Sequence, residues 1–207
     1  NQYGNLGQNS TTQYSSPKQV GTETTWSSLS KGIYSNAGMA GIKNDGTLWA
    51  WGYNGYGGLG HNNRQQYSSP VQIPGTTWSK VSRGYRNAFA IKTDGTLWTW
   101  GSNQFGVLGT NNNTSYSSPV QIPGSWSKVS ENYFYATGAI KTGGTLWMWG
   151  RNGSGHLGQN NRTEYSSPRQ VPGTTWAGVS VDQNRTMATK TDGTLWGWGE
   201  MNMMYYY

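Results

Sequence analysis

The chain has 207 residues, no cysteine, and a formal net charge of +7 although only 11% of its residues are charged. This composition excludes disulfides and thiolate chemistry, and no apolar run approaches the roughly 18 residues of a membrane helix, so we expect no membrane insertion. The 12 tryptophans and 31 glycines instead favour many short strands with tight turns around an aromatic core.

One motif recurs along the chain at a fixed interval. Its versions DGTLWAWG, DGTLWTWG, GGTLWMWG and DGTLWGWG are each separated by 49 residues. A constant period of this size is typical of a repeat architecture. We therefore predict repeat units over 1–199 that end at 52, 101, 150 and 199, followed at 200–207 by an atypical tail or the start of a further unit.

The unit at residues 53–101 shows the predicted elements in chain order. YNGYGGLGHNNRQQ is polar and glycine-rich and indicates a loop. SSPVQIPG predicts a short outer or edge strand, because proline cannot donate a hydrogen bond to a central ladder. TTWSKVS predicts a second strand, NAFAIK a third and TLWTWG a fourth, with a tight turn at Asp94 and Gly95 before the last one.

The alternation within TLWTWG predicts how the units pack. Trp98 and Trp100 share one face of the strand, and Leu97 and Thr99 share the other. Bulk on both faces indicates that a neighbouring unit covers each side. Four short antiparallel strands per unit are typical of a β-propeller blade, so we predict an all-β propeller with about four four-stranded blades present.

The repeat resembles a known family. A small apolar strand, a DG turn, TLWxWG, N-x-x-G-x-L-G and SSPVQIPG together resemble the repeat of the regulator of chromosome condensation family, the RCC1-like propellers, over nearly the whole chain. The resemblance implies a ring that normally closes with seven blades. We therefore expect either a segment of a longer propeller or several copies that close a ring together.

The sequence contains little that indicates a cofactor, metal or catalytic site. GYGGLG from Gly55 and GSGHLG from Gly153 spell GxGxxG, but polar loops follow them rather than helices, so they predict turns between blades and no dinucleotide site. His61 and His156 occupy different repeat positions without neighbouring ligands and are expected to be surface loop residues. We predict no enzyme activity, no catalytic residues, no cofactor and no metal.

Lysines recur at one position in each unit: Lys43, Lys92, Lys141 and Lys190. Because they are spread along the repeats rather than clustered, they favour a role in solubility and edge protection. A nucleic-acid-binding surface needs clustered basic residues on one face, so the pattern argues against a nucleic-acid partner.

One segment differs completely among the units, namely the connection from the second to the third strand. Exposed residues that drift would favour Ser, Thr, Asn and Gly in so polar a chain, whereas Tyr and Arg are enriched at binding hot spots. Equivalent turns of adjacent blades lie on one face, so these loops predict a partner-binding surface, with drift as the alternative. Its candidate residues are Lys31, Tyr34, Arg83, Tyr85, Arg86, Tyr133, Phe134, Tyr135, Asp182, Asn184 and Arg185.

These observations predict a non-catalytic binding or structural module that recognises a protein or a glycan. The near-identical, weakly charged units are similar to bacterial and phage members of the family, which implies an extracellular, cell-surface or virion setting such as a phage tail. One alternative implied by the family is an enzyme inhibitor that presents aromatic loops to a cleft. Another is a nucleotide-exchange regulator of a small GTPase, although the protruding insertion that this activity uses in the family is not visible.

Overall fold

A computed structural model describes residues 1–30, 38–130 and 135–200. Within these ranges, fifteen strands form three four-stranded sheets and a final three-stranded sheet, each with its strands paired antiparallel in chain order. The first sheet contains β1 (Trp26–Leu29), β2 (Met39–Lys43), β3 (Leu48–Gly52) and β4 (Tyr67–Ile73). The second contains β5 (Trp78–Arg83), β6 (Asn87–Lys92), β7 (Leu97–Gly101) and β8 (Tyr116–Ile122). The third contains β9 (Trp126–Val129), β10 (Ala136–Lys141), β11 (Leu146–Gly150) and β12 (Tyr165–Gln170), and the fourth contains β13 (Trp176–Val181), β14 (Arg185–Lys190) and β15 (Leu195–Gly199).

This arrangement confirms the predicted all-β fold, but the strands are grouped differently from the sequence units. The strand that contains SSPVQI was predicted to open its unit. In the structure β4 pairs with β3, so it closes the sheet of the preceding unit. It lies at the sheet edge, as its proline predicts. The physical reason is that the TLWxWG strand has an unpaired edge, and the long loop after it returns the chain antiparallel to that edge.

The Asp-Gly turns reverse the chain as predicted. The Asp94 carboxylate accepts hydrogen bonds from the backbone N–H and the hydroxyl of Thr96, at 2.9 and 2.7 Å. Gly95 has φ +82°, which side-chain-bearing residues rarely adopt. Its carbonyl accepts the N–H of Trp126 at 2.7 Å, the first residue of the next sheet. The turn therefore also ties neighbouring sheets together.

Apolar side chains pack between sheets rather than within a separate central core. Ile42, Leu48 and Ile73 of the first sheet pack against Trp78 and Trp100 of the second. The same arrangement joins the second sheet to the third and the third to the fourth. Each fully buried side chain of this kind contributes about 1.5–3 kcal/mol. TLWxWG recurs because its two faces serve two different interfaces, as the sequence predicts.

The second tryptophan of each motif also makes a hydrogen bond across the interface. Trp100 Nε1 donates to the carbonyl of Gly58 and Trp149 Nε1 to that of Val107, both at 2.8 Å. In the first sheet, Trp51 Nε1 donates to the carbonyl of Asn5 at 2.9 Å. Residues near the start of the chain therefore cover the tryptophan face of the first sheet.

The repeated lysines are not edge residues. Each lies at the end of the second strand of its sheet, with its ammonium group over two tryptophan rings. In the third sheet, Lys141 Nζ lies 5.1 Å from the ring centroid of Trp126 and 3.9 Å from that of Trp147. Lys43 is only 7% exposed. The expectation of solubility and edge protection is therefore wrong for Lys43, because the ring contacts hold its side chain inside the fold.

Candidate partner-binding face

The predicted surface lies where the first and second strands of each sheet connect. These are the second and third strands of a sequence unit, because the strand that contains SSPVQI belongs to the preceding sheet. The structure describes Arg83, Tyr85, Arg86, Tyr135, Asp182, Asn184 and Arg185 of this set. Lys31, Tyr34, Tyr133 and Phe134 lie outside the described residues. The connections at Tyr85 and Asn184 are short hairpins, so their tips are held by the adjacent strands.

The β5–β6 hairpin places an arginine against aromatic rings. The N–H of Gly84 donates to the carbonyl of Asn87 at 3.0 Å, which closes the turn and leaves Tyr85 and Arg86 at its tip. The guanidinium carbon of Arg86 lies 4.2 Å from the ring centroid of Tyr56 and 5.0 Å from that of Tyr85. Tyr56 belongs to the loop after β3. Loops of two neighbouring sheets therefore meet in one cation–π contact.

Two further tyrosines extend this contact. The Tyr53 ring lies 4.8 Å from the Tyr3 ring and 6.1 Å from the Tyr56 ring, centroid to centroid. Burial raises the pKa of Tyr53, and the neighbouring Tyr56 and Tyr3 raise it further, so its phenol stays neutral at neutral pH. We call Tyr3, Tyr53, Tyr56, Tyr85 and Arg86 the tyrosine cluster. All of its members are half-buried and therefore present part of their surface to solvent.

A smaller version recurs between the second and third sheets. The Phe105 ring lies 5.1 Å from the Tyr135 ring, and the guanidinium carbon of Arg151 lies 5.4 Å from the Phe105 centroid. Phe105 follows β7, as Tyr56 follows β3. The same loop pair thus brings aromatic rings together a second time, but here the arginine comes from the loop after β11.

Arg83 is placed differently from the other candidates. It is 4% exposed, and its Nη1 donates to the carbonyl of Gly58 at 2.6 Å. Burial lowers the pKa of Arg83 to about 10, which leaves it charged at neutral pH. A Cβ on Gly58 would lie 3.2 Å from Arg83 Nη2, so the glycine makes room for this side chain. Arg83 therefore supports the loop from inside and is not presented to a partner.

The β13–β14 hairpin is polar. Arg185 Nη2 pairs with the Asp182 carboxylate at 3.1 Å, and both side chains are exposed. The carbonyl of Asn184 accepts the N–H of Glu200 at 2.8 Å. The structure therefore brings Tyr85 and Arg86 into one cluster and leaves the Asp182–Arg185 pair in a separate hairpin.

Sequence reasoning missed the aromatic residues of the loops after β3 and β7. Tyr3, Tyr56 and Phe105 occupy one position of the N-x-x-G-x-L-G turn, and Ser154 occupies it in the next unit. The turn was interpreted as a connection because its asparagine and glycines are constant. Three aromatic residues at the third position of this turn were the signal that could have found them.

Within the described ranges, no group of three His, Cys, Asp or Glu side chains lies close enough together to hold a metal ion. Within the same ranges, no helix has the length and apolarity to cross a membrane. His156 is 1% exposed, so its prediction as a surface loop residue is wrong. Its position in the turn faces the adjacent sheet, and its carbonyl accepts Trp198 Nε1 at 2.8 Å.

The repeat matches a known protein family. The description "Regulator of chromosome condensation (RCC1) repeat" matches residues 45–91, 94–131 and 143–188, and a second version of the same repeat matches 78–107. These matches cover more than half of the sequence. The chain therefore belongs to the RCC1 repeat family. A search of curated protein sequences gives no match.

Solved structures confirm the propeller fold. Prp20p of Saccharomyces cerevisiae aligns with a TM-score of 0.73 and 18% identity over 86% of this chain and 46% of that protein. Yeast RCC1 (Prp20) bound to Kap60 gives 0.72 and 17%, over 86% and 44%. Human WBSCR16 gives 0.69 and 18%, over 79% and 45%. The chain thus spans slightly less than half the length of these structures, and identities this low show the fold alone.

Proposed function

We propose that this RCC1-type propeller protein is a non-catalytic recognition module that binds a protein partner through the tyrosine cluster. The observation that carries this proposal is the contact of Arg86 with Tyr56 and Tyr85, at 4.2 and 5.0 Å. Tyrosine and arginine supply large contact area and multiple hydrogen bonds at protein interfaces. The sheets beneath hold them rigidly, which reduces the entropy lost on binding.

The solved relatives fit this type of role. One structure is of yeast RCC1 bound to Kap60, and another is described with binding properties to Gsp1p and histones. Those partners belong to the yeast protein. For this chain we propose only that a protein is bound. The extracellular or virion setting, a glycan partner, an inhibitor role and nucleotide exchange stay predictions.

A matched pair of arginine variants tests the proposal. Arg86→Gln removes the guanidinium of the tyrosine cluster, whereas Arg169→Gln removes one that lies 5.0 Å from the Tyr165 ring on the outer strand β12. Proteins captured from the native source by the wild-type chain should be retained by Arg169→Gln. Arg86→Gln should weaken their binding by about tenfold or more, measured by biolayer interferometry on the purified partner.

The double variant Tyr56→Ser plus Tyr85→Ser extends this test to the aromatic surface and should give the same loss. A partner that binds all three variants as tightly as wild type would overturn the proposal. If instead the wild-type chain binds a polysaccharide on a glycan array, and these variants lose that binding while they still capture the protein partner, the glycan alternative is favoured.

A further inference from the structure

Two hydrogen-bond donors converge beside the turn that leads into the third sheet. They are Nε1 of Trp126, the first residue of β9, and Nζ of Lys141, the last residue of β10. A Cβ on Gly124 would lie 3.2 Å from Trp126 Nε1 and 3.4 Å from Lys141 Nζ. Both donors therefore approach one point next to this glycine.

Neither donor has a hydrogen-bond acceptor among the residues that the structure describes. Trp126 is 1% exposed, and its Nε1 finds no hydrogen-bond partner within the described ranges. A buried N–H without a partner costs about 1–3 kcal/mol. In the same ranges, Lys141 forms no ion pair, and its ammonium group lies over the rings of Trp126 and Trp147. Because ammonium and indole N–H groups are donors only, they cannot satisfy one another.

The same pair of donors recurs in the neighbouring sheets. A Cβ on Gly75 would lie 3.6 Å from Lys92 Nζ and 3.7 Å from Trp78 Nε1. The corresponding donors beside Gly173 are Lys190 and Trp176, and both tryptophan N–H groups also lack a partner among the described residues. The repeat therefore builds one donor arrangement three times.

The first sheet shows what chemistry satisfies the lysine of this pair. There the carboxylate of Glu23 forms an ion pair with Lys43, whose ammonium lies 5.1 Å from the Trp26 ring centroid and 3.8 Å from that of Trp49. Glu23 belongs to the segment VGTETT, which stands where the later units have the shorter proline-glycine connection. In this unit the chain itself supplies the carboxylate, from a glutamate in the connecting segment.

The third sheet has room for such a segment. A cavity of about 500 Å³ is lined by Trp126, Lys141 and Trp147, with Pro123 and Pro168 at its sides. The corresponding cavity of the first sheet, to which Val20 and Glu23 contribute, measures about 130 Å³. The larger cavity presents an apolar wall with one cation, which suits a peptide side chain that ends in a carboxylate.

We propose that this cavity of the third sheet, the Lys141 groove, binds an acidic peptide segment by its carboxylate. The carboxylate accepts from Lys141 Nζ and Trp126 Nε1, in the way that Glu23 engages Lys43. The groove lies beside the turn end of β10, whereas the partner-binding loops lie at the other end of that strand. It shares no residue with the tyrosine cluster, so the two proposals fail independently.

NMR of the uniformly ¹⁵N-labelled chain tests this assignment directly. The indole N–H signal of Trp126 is identified by its loss in Trp126→Phe. The probe is the end-blocked peptide VGTETT, and the matched control is VGTQTT, which differs only by the missing charge. We expect VGTETT to shift the Trp126 indole signal in a saturable way and VGTQTT to leave it in place.

Two variants locate the charge that is responsible. Lys141→Gln should weaken the response to VGTETT by about tenfold or more. Arg64→Gln removes the same charge from an exposed loop residue and should leave the response unchanged. An equal response to both peptides, or none to VGTETT in the wild-type chain, would overturn the proposal without recourse to any variant. Equal affinity for sodium acetate would overturn the assignment of a peptide as the occupant.

Discussion

The buried amide of Asn103 organises the loop that follows β7. Its Nδ2 donates to the carbonyl of Asn112 at 2.8 Å, and its Oδ1 accepts the N–H of Leu108 at 2.9 Å. Asn103→Leu leaves both backbone groups without this partner. We expect the free energy of unfolding to fall by about 1–3 kcal/mol for each buried group left unpaired, measured by urea denaturation. Asn113→Leu, in the same loop but exposed, should change it by no more than about 0.5 kcal/mol.

His156 should make the stability of the folded state depend on pH in the mildly acidic range. Burial lowers the pKa of His156, and the nearby charge of Arg151 lowers it further, so the folded state favours the neutral imidazole. As the pH falls from about 7 to about 5, the unfolded chain is protonated first and stability is lost. His156→Val places there the residue found in the preceding unit, where Val107 is fully buried. The variant should lose less stability over this range, and identical slopes in wild type and variant would contradict the assignment.

Some single residues could be placed from the sequence, and others could not. Asp94 and Gly95 were predicted as a turn because their backbone preferences act locally. Arg83 and Arg86 stand in one variable loop, yet one is buried against Gly58 and the other stacks on Tyr56. Which arginine faces inward depends on a glycine of the neighbouring sheet, and no local pattern contains that information.

At the scale of elements, the glycines of the Asp-Gly turns differ in how closely neighbouring atoms approach them. Gly46, Gly95 and Gly193 have φ values of +75°, +82° and +83°, so alanine at each position is strained by about 1–2 kcal/mol. A Cβ at Gly46 would also lie 3.0 Å from the backbone nitrogen of Thr77, whereas at Gly95 the nearest atom is 3.6 Å away and at Gly193 none lies within 4 Å. Gly46→Ala should therefore destabilise the chain most, and the other two variants should lose similar, smaller amounts in urea denaturation. A larger loss for Gly193→Ala would contradict this order.

The strands themselves were predictable, but their grouping was not. Alternation in TLWTWG gave both its strand and its two faces, because side chains in a strand alternate with period two. The proline in β4 correctly indicated an edge strand. Its assignment to the preceding sheet depends on pairing between Leu48–Gly52 and Tyr67–Ile73, which is a long-range contact.

At the scale of the whole molecule, stability is distributed over interfaces between successive sheets. Each sheet presents a leucine face to the next sheet and a tryptophan face to the previous one. A stack of this kind is stabilised by nearest-neighbour contacts. The same side chain therefore contributes more to the free energy of unfolding where a neighbouring sheet covers it. The period of the sequence could predict this stacking. The tyrosine cluster and the Lys141 groove arise between units, where loops of different repeats meet, and therefore needed the structure.

Two leucines at the same motif position test this interface picture in solution. Leu97 is fully buried against the third sheet, whereas Leu195 on the last sheet is 65% exposed. Leu97→Ala should lower the free energy of unfolding by about 2–5 kcal/mol, because it leaves a cavity between two sheets. Leu195→Ala should change it by no more than about 0.5 kcal/mol, since the side chain already contacts water. A comparable loss at Leu195, measured at several protein concentrations, would show that another blade covers this face in solution and would contradict its exposure in the structure.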